Sequence, residues 1–193
     1  MRTISQKGID LIKSFEGFVD HAYKPVSSEP YYTIGFGHYG SDVKSTDTIT
    51  RSQAENLLRS DIKSYEAKVN IYDSTYHWTQ SEYDAMVSFC YNVGSINQLT
   101  QNGKRSKSQI ANAMLLYCKD VTGKVLIGLK NRRSKERELF LSNDVSSDTL
   151  GYTEATTIKT IVDDIIAGKF ANNSDRKENI YRVIQGFVNK RFS

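Results

Sequence analysis

Cysteine, proline and tryptophan are scarce in this chain of 193 residues: two, two and one. Two cysteines cannot build the multi-bridge framework of a small secreted domain, and no Cys/His spacing suggests a zinc site, so no metal is expected. Cys90 and Cys118 both fall in apolar helical patterns and are expected to be buried free thiols. Pro25 and Pro30 are too few for a Pro-rich linker, and there is no internal repeat or low-complexity run. No apolar run is long enough to span a bilayer. Met1-Arg2-Thr3-Ile4-Ser5-Gln6-Lys7 has neither the apolar stretch nor the cleavage site of a secretory signal. The chain is therefore expected to be made soluble, without membrane insertion, and to need another agent for release if it acts outside the cytoplasm.

What is present is an ordinary globular composition, 38% hydrophobic and 25% charged, which suits one domain plus a small appendage. Twelve tyrosines outnumber eight phenylalanines, and tyrosine joins an apolar face to a hydroxyl, a combination that suits sugar contact. The net charge of +4 is unevenly spread: residues 1–100 hold nine Lys/Arg against twelve Asp/Glu, and residues 101–141 hold ten against three. That basic block is either a solvated helix face or a surface for an anionic polymer. It lacks a stacking-aromatic pattern, which argues against a nucleic-acid partner.

Along the chain, Ser5 reads as an N-cap, and Ile9, Leu11, Ile12 and Phe15 form the apolar stripe of a first helix that stops at Gly17. Glu16 thus falls on the last turn, where the carbonyl end of the helix and apolar neighbours such as Phe15 are expected to push its pKa up, towards a general acid. From Ala22 to Val43 the period changes. Tyr31-Tyr32-Thr33-Ile34 is β-prone and is broken by Gly35, Gly37 and Gly40 into a short twisted ribbon. Thr50–Gln53 and Thr79–Glu82 are capping boxes; the first opens a helix to about Val69, the second a buried central helix stopped by Gly94. Ser106 or Ser108 starts a helix through Tyr117, Asp120–Gly123 is a turn, and Asn131–Leu141 reads as a basic amphipathic helix. Residues 142–154 are polar and acidic, a linker composition. Residues 155–193 follow as a small three-helix module, a core that is marginal alone.

Glu16 together with Tyr32-Thr33-Ile34-Gly35-Phe36-Gly37-His38 resembles the phage-type lysozymes, the muramidase family that includes the T4-type endolysins. The similarity extends in order through Leu11–Gly17, Ala22-Tyr23-Lys24, Ile49–Leu58 with Asp61, Phe89-Cys90-Tyr91-Asn92-Val93-Gly94 and Gly128-Leu129-Lys130-Asn131-Arg132-Arg133 with Glu136, Arg137 and Phe140. The resemblance implies an α+β, mainly helical, lysozyme-like catalytic domain over residues 1–141 with a small β-ribbon. It implies cleavage of the β-1,4 bond between N-acetylmuramic acid and N-acetylglucosamine. Glu16 would be the general acid and Thr33 would position water or the second carboxylate. Tyr32 and His38 would stand at the substrate, and no cofactor is implied. One position departs from the family's Glu, Asp or Cys, Thr pattern: Pro25 stands where the second member is expected, and the loop to Thr33 is longer. Glu29 is the replacement chosen here, with Asp20 and Asp42 as the other acids near the hairpin. Without a second carboxylate, a lytic transglycosylase using Glu16 alone or a non-catalytic wall-binding protein would be the alternatives.

The tail from Ile161 to Lys177, with Val183-Ile184-Gln185-Gly186-Phe187-Val188-Asn189, resembles a single CW_7 (Cpl-7-like) cell-wall-binding repeat, with Ala171 and Ser174 where glycine is usual. By that resemblance Asp175 and Arg176 would contact the wall. The combined expectation is a monomeric phage endolysin acting on bacterial peptidoglycan. It would be made in the host cytoplasm and reach the wall through a holin-made lesion.

Overall fold

The computed structural model describes residues 1–142, and the expected linker and tail module, with Asp175 and Arg176, lie outside the described residues, Ser142 aside. The first helix, α1 (Gln6–Glu16), starts where Ser5 caps it. The Ser5 hydroxyl accepts the Gly8 amide at 3.4 Å and donates to Asp84, whose other carboxylate oxygen takes the Ser5 amide at 2.9 Å. One serine thus caps α1 and docks it on the helix that carries Asp84. Gly17 ends α1 with φ 72° and ψ 179°. That positive φ is open to glycine at little cost, and it turns the chain into the sheet directly after Glu16.

The sheet has three antiparallel strands in the order β1 (Val19–Tyr23), β2 (Tyr32–Gly35), β3 (His38–Gly40). Tyr32, Thr33 and Ile34 face Gly40, Tyr39 and His38, while Val19 faces Gly35 and Tyr23 faces Thr33 across an irregular register. The ribbon expected from Ala22 therefore begins earlier, at Val19. Asp20 and His21 hide the strand from a pattern search because both are exposed. Opposite β2, the other edge of the strand is held by residues 47–49: Ile49 donates to the Asp20 carbonyl at 2.8 Å and Ala22 to the Asp47 carbonyl at 3.0 Å. Gly35 sets the sheet down on α2 (Arg51–Asn70): its φ is 67°, and a Cβ there would lie 2.8 Å from the Ala54 Cβ.

α2 and the central helix α4 (Gln80–Val93) both open with the expected capping boxes, at Thr50 and Thr79. Between them lies a single turn, α3 (Asp73–Tyr76), and after them another, α5 (Asn97–Thr100), neither of which the sequence pattern announces. Every residue from Ser81 to Cys90 is buried, so α4 is enclosed by α1, α2 and the later helices. Each large apolar side chain on it contributes about 1.5–3 kcal/mol by burial. Cys90 and Cys118 are buried free thiols as expected, and burial raises the Cys90 pKa to about 11, which makes it a poor nucleophile.

α6 (Lys107–Met114) has its capping box at Ser106 but stops before the expected Tyr117, leaving Leu115 and Leu116 exposed beyond its end. α7 (Ile127–Leu141) begins ahead of the expected Asn131. Gly128, a poor helix former, masks that start. No helix of the described residues is long and apolar enough to cross a membrane.

Candidate active site

Glu16 ends α1 with about a quarter of its side chain exposed, and its carboxylate is fixed from a distant part of the chain. Arg132 on α7 donates from Nη1 to Glu16 Oε1 at 2.6 Å. The same guanidinium donates from Nε to Glu136 Oε1 at 3.1 Å and from Nη2 to the Ser88 carbonyl at 3.3 Å. Glu136 Oε1 also accepts the Ser88 hydroxyl at 2.8 Å and Arg133 Nη2 at 3.1 Å; that Nη2 in turn donates to Asn92 at 2.9 Å. Arg133 Nε lies 2.8 Å from Glu136 Oε2 as an ion contact without an aligned N–H, and the Arg133 guanidinium also sits over the Phe89 ring. Burial raises the Glu136 carboxyl, with the two guanidiniums pulling against it, and burial lowers the Arg133 guanidinium. Buried charges of this kind hold together only when paired and hydrogen-bonded. The chain runs from Glu16 through Arg132 and Glu136 to Arg133, bracing the end of α1 against α4 and α7.

This corrects the sequence reading of the basic block. Arg132, Arg133 and Glu136 are buried, so this stretch of α7 is not a solvated basic face. Lys107 pairs with the buried Glu82 at 2.6 Å, and Arg105 donates to the Leu99 carbonyl at 2.8 Å. These charges neutralise internal groups, and only part of the block is left to attract an anionic polymer.

On the other side of Glu16 stands the sheet. Phe18, two residues on, meets Phe36 in the β2–β3 turn with ring centroids 5.4 Å apart. Thr33 is buried in the middle of β2, and Tyr32 lies under the Lys24 ammonium, 4.9 Å from the ring centre. Directly opposed residues in an antiparallel pair share a face, so Tyr23, Thr33 and Tyr39 lie on one side of the sheet and His38, Ile34 on the other. His38 is on the α2 side, where Nδ1 meets Asp61 at 2.9 Å and Nε2 meets Asp42 at 3.0 Å. Burial pulls its pKa down, but the hydrogen bonds to Asp61 and Asp42 outweigh that and leave it raised.

Of the three acids near the hairpin, Asp42 is engaged by His38 and Asp20 by His21 at 2.8 Å. Glu29 is half-buried in the loop between β1 and β2, where its amide closes a turn on the Val26 carbonyl at 3.0 Å. Its carboxylate is the one of the three without a histidine partner among the described residues.

Three residues of the site escaped sequence reasoning as functional: Arg132, Asp61 and Tyr91. Each stands in a stretch whose family resemblance was visible, but none was given a role. Burial pushes the Tyr91 phenol up, and the negative charges of Glu16 and Asp61 add to it, so it stays a neutral donor near both acids. Its hydroxyl also lies against the β2–β3 turn, 4.0 Å from where a Cβ on Gly37 would stand. Among the described residues no cluster of His, Cys, Asp and Glu is arranged to hold a metal ion.

Comparison with known proteins bears on the family and the fold. The phage lysozyme family model matches residues 13–136. The endolysin of Bacillus phage B103 is 42% identical over 170 residues, 81% of this chain and 61% of that protein, so the chain spans about three-fifths of that relative's length. Among solved structures, an endolysin from Escherichia coli O157:H7 phage FAHEc1 is 35% identical with a TM-score of 0.60, over 79% of this chain and 98% of that one. The muramidase domain of SpmX from Asticaccaulis excentricus is 32% identical with a TM-score of 0.63, over 74% of this chain and all of that one. With the family match running from α1 into α7 and whole solved domains covered, the chain belongs to the phage lysozyme family.

Proposed function

We propose that this protein is a peptidoglycan hydrolase of the endolysin type, which cuts the β-1,4 bond between N-acetylmuramic acid and N-acetylglucosamine. The observation that carries this reading is Glu16: a part-exposed carboxylate at a helix end, held by a buried arginine and next in sequence to a sheet that carries Thr33. Glycoside hydrolysis needs an acid on the leaving oxygen and a second carboxylate on the other face of the sugar. Glu16 is the acid, protonating the glycosidic oxygen. Glu29 is the second carboxylate, which either activates water or attacks the anomeric carbon. Thr33 orients the water, Tyr32 packs on the sugar, and His38 supports the hairpin beneath it. Two carboxylates perform the whole reaction, so no cofactor enters the mechanism.

In this reading the protein is a monomer made in the host cytoplasm, reaching the wall after a holin opens the membrane. A CW_7-like tail would add wall affinity through Asp175 and Arg176. A second reading rests on Pro25, which stands where the family pattern puts the second catalytic residue. A lytic transglycosylase would use Glu16 alone and let the sugar's own hydroxyl attack. Digestion of purified peptidoglycan, with mass spectrometry of the fragments, separates the readings. Reducing N-acetylmuramic ends support hydrolysis; 1,6-anhydro ends mean a transglycosylase; intact glycan means a wall-binding protein without catalysis.

A further inference from the structure

Apart from Tyr117, which meets the Phe89 ring, and the buried Cys118, the stretch between α6 and α7 is absorbed by neither the core nor the site. It folds as a small hairpin: Lys119 pairs with Val125, Leu126 donates to the Cys118 carbonyl at 2.8 Å, and Asp120 donates to the Lys124 carbonyl at 2.9 Å. Its surface is unusually apolar. Val121 at the tip is fully exposed, Leu116 is 70% and Ile127 67% exposed, and Leu115, Val125 and Leu126 are exposed as well. The hairpin pairing brings the two ends of this stretch together, because Cys118 is bonded to Leu126. The exposed aliphatic residues are thereby gathered along one short hairpin and its base, and exposed apolar surface concentrated in this way marks an interaction site.

The charges around the patch are mostly positive. Lys119, Lys124 and Lys130 are exposed and make no ion pair among the described residues. The acid inside the hairpin, Asp120, is spent on the turn: its Oδ1 accepts the Thr122 amide at 2.9 Å, the Thr122 hydroxyl at 2.7 Å and the Lys124 amide at 3.0 Å. This is an apolar tip ringed by free ammonium groups. A phosphate polymer would satisfy the lysines and leave the aliphatic side chains in water. A second copy would bring lysine against lysine. An anionic bilayer satisfies both, with headgroups for the lysines and the acyl boundary for Val121, Leu116 and Ile127.

We propose that the Cys118–Leu126 hairpin, with the flanking Leu115, Leu116 and Ile127, is a docking surface for a membrane rich in anionic phospholipid. It is peripheral docking, not insertion of a spanning segment, and none of its residues is among those placed at the candidate active site. The proposal does not depend on the hydrolase reading.

The test is vesicle flotation with the full chain. Vesicles of phosphatidylglycerol and phosphatidylcholine are compared with phosphatidylcholine alone, at low and high salt. The wild type is expected to float with the anionic vesicles at least about fivefold more than with the neutral ones, and high salt is expected to weaken this. Val121→Asp with Ile127→Asp, and separately Lys119→Gln with Lys124→Gln, are expected to reduce flotation to the neutral-vesicle level. Circular dichroism and lysis of purified walls should stay unchanged in both, which separates loss of docking from loss of fold or of activity. The proposal is overturned if the wild type does not float, or if flotation survives the aspartates, which would put the contact elsewhere in the chain. It is also overturned if a soluble polyphosphate is bound as well as vesicles regardless of the aspartates, or if sedimentation shows a dimer that Ile127→Asp disperses.

Discussion

On one side of Glu16, Arg132 reaches it from a helix whose Arg132, Arg133 and Glu136 side chains are 5%, 0% and 0% exposed. On the other, the chain passes through the loop between β1 and β2, where the Glu29 amide holds a turn on Val26. The first side is a set of buried charges, each fixed by several partners; the second is a half-buried carboxylate on a loop, in no ion pair among the described residues. Charges buried in this way are strongly destabilising when one partner is lost. Charges on exposed loops are thermodynamically cheap, which is what a residue recruited for chemistry can be. The comparison separates residues that hold Glu16 from the loop that carries the proposed second carboxylate.

The difference can be broken first at Glu136. Replacing it with leucine leaves two buried guanidiniums without their shared carboxylate and is expected to cost about 3–5 kcal/mol, read from urea unfolding. A loss below about 1 kcal/mol would mean that the network is ornamental to stability. Gly35→Ala comes next. Its positive φ and the nearby Ala54 predict a loss of about 1–3 kcal/mol in thermal unfolding, and a neutral change would contradict the close seating of the sheet on α2.

pH sharpens the contrast with smaller effects. The raised His38 pKa means its stabilising contribution is whole below the ordinary value of 6.5 and fades as pH rises through the raised value. Glu55 has the opposite sign. Its hydrogen bond to Lys13, then that to Arg59, lowers it from 4.5 to about 2, so its contribution is whole above 4.5 and is lost as pH falls towards 2. Unfolding midpoints across pH should therefore flatten on the alkaline side in His38→Gln and on the acid side in Glu55→Gln. The smallest effect on stability belongs to Glu29→Gln, within about 0.5 kcal/mol, while wall lysis is expected to fall by at least about tenfold. An equally active variant would remove Glu29 from the mechanism and turn attention to Asp20, Asp42 and the transglycosylase reading.

How much of this was legible follows from distance along the chain. The caps at Ser5, Thr50 and Thr79 were readable because an N-cap is closed within four residues, and the same signal narrowed the start of α6 to Ser106 or Ser108. Glu16 was readable because it ends an amphipathic stripe just before a glycine. The start of β1 was not, since its pairing to residues 47–49 leaves no mark on Asp20 and His21 themselves. Arg132 was visible in a motif but misread as surface charge, because its partner Glu16 is 116 residues away. A row of arginines on a short helix looks the same whether it faces water or a buried glutamate. Tyr91 is a similar case: only the fold brings it near Glu16 and the turn at Gly37.

The division between holding and working residues meets its most direct test at Glu16 itself. Glu16→Gln keeps the size and much of the hydrogen bonding to Arg132 while removing the proton that the reaction needs. Lysis of purified walls and the urea midpoint, measured on the same preparation, should show a loss of at least about a hundredfold in rate with stability held within about 1 kcal/mol. Lysis at the wild-type rate by a folded Glu16→Gln protein would contradict the account.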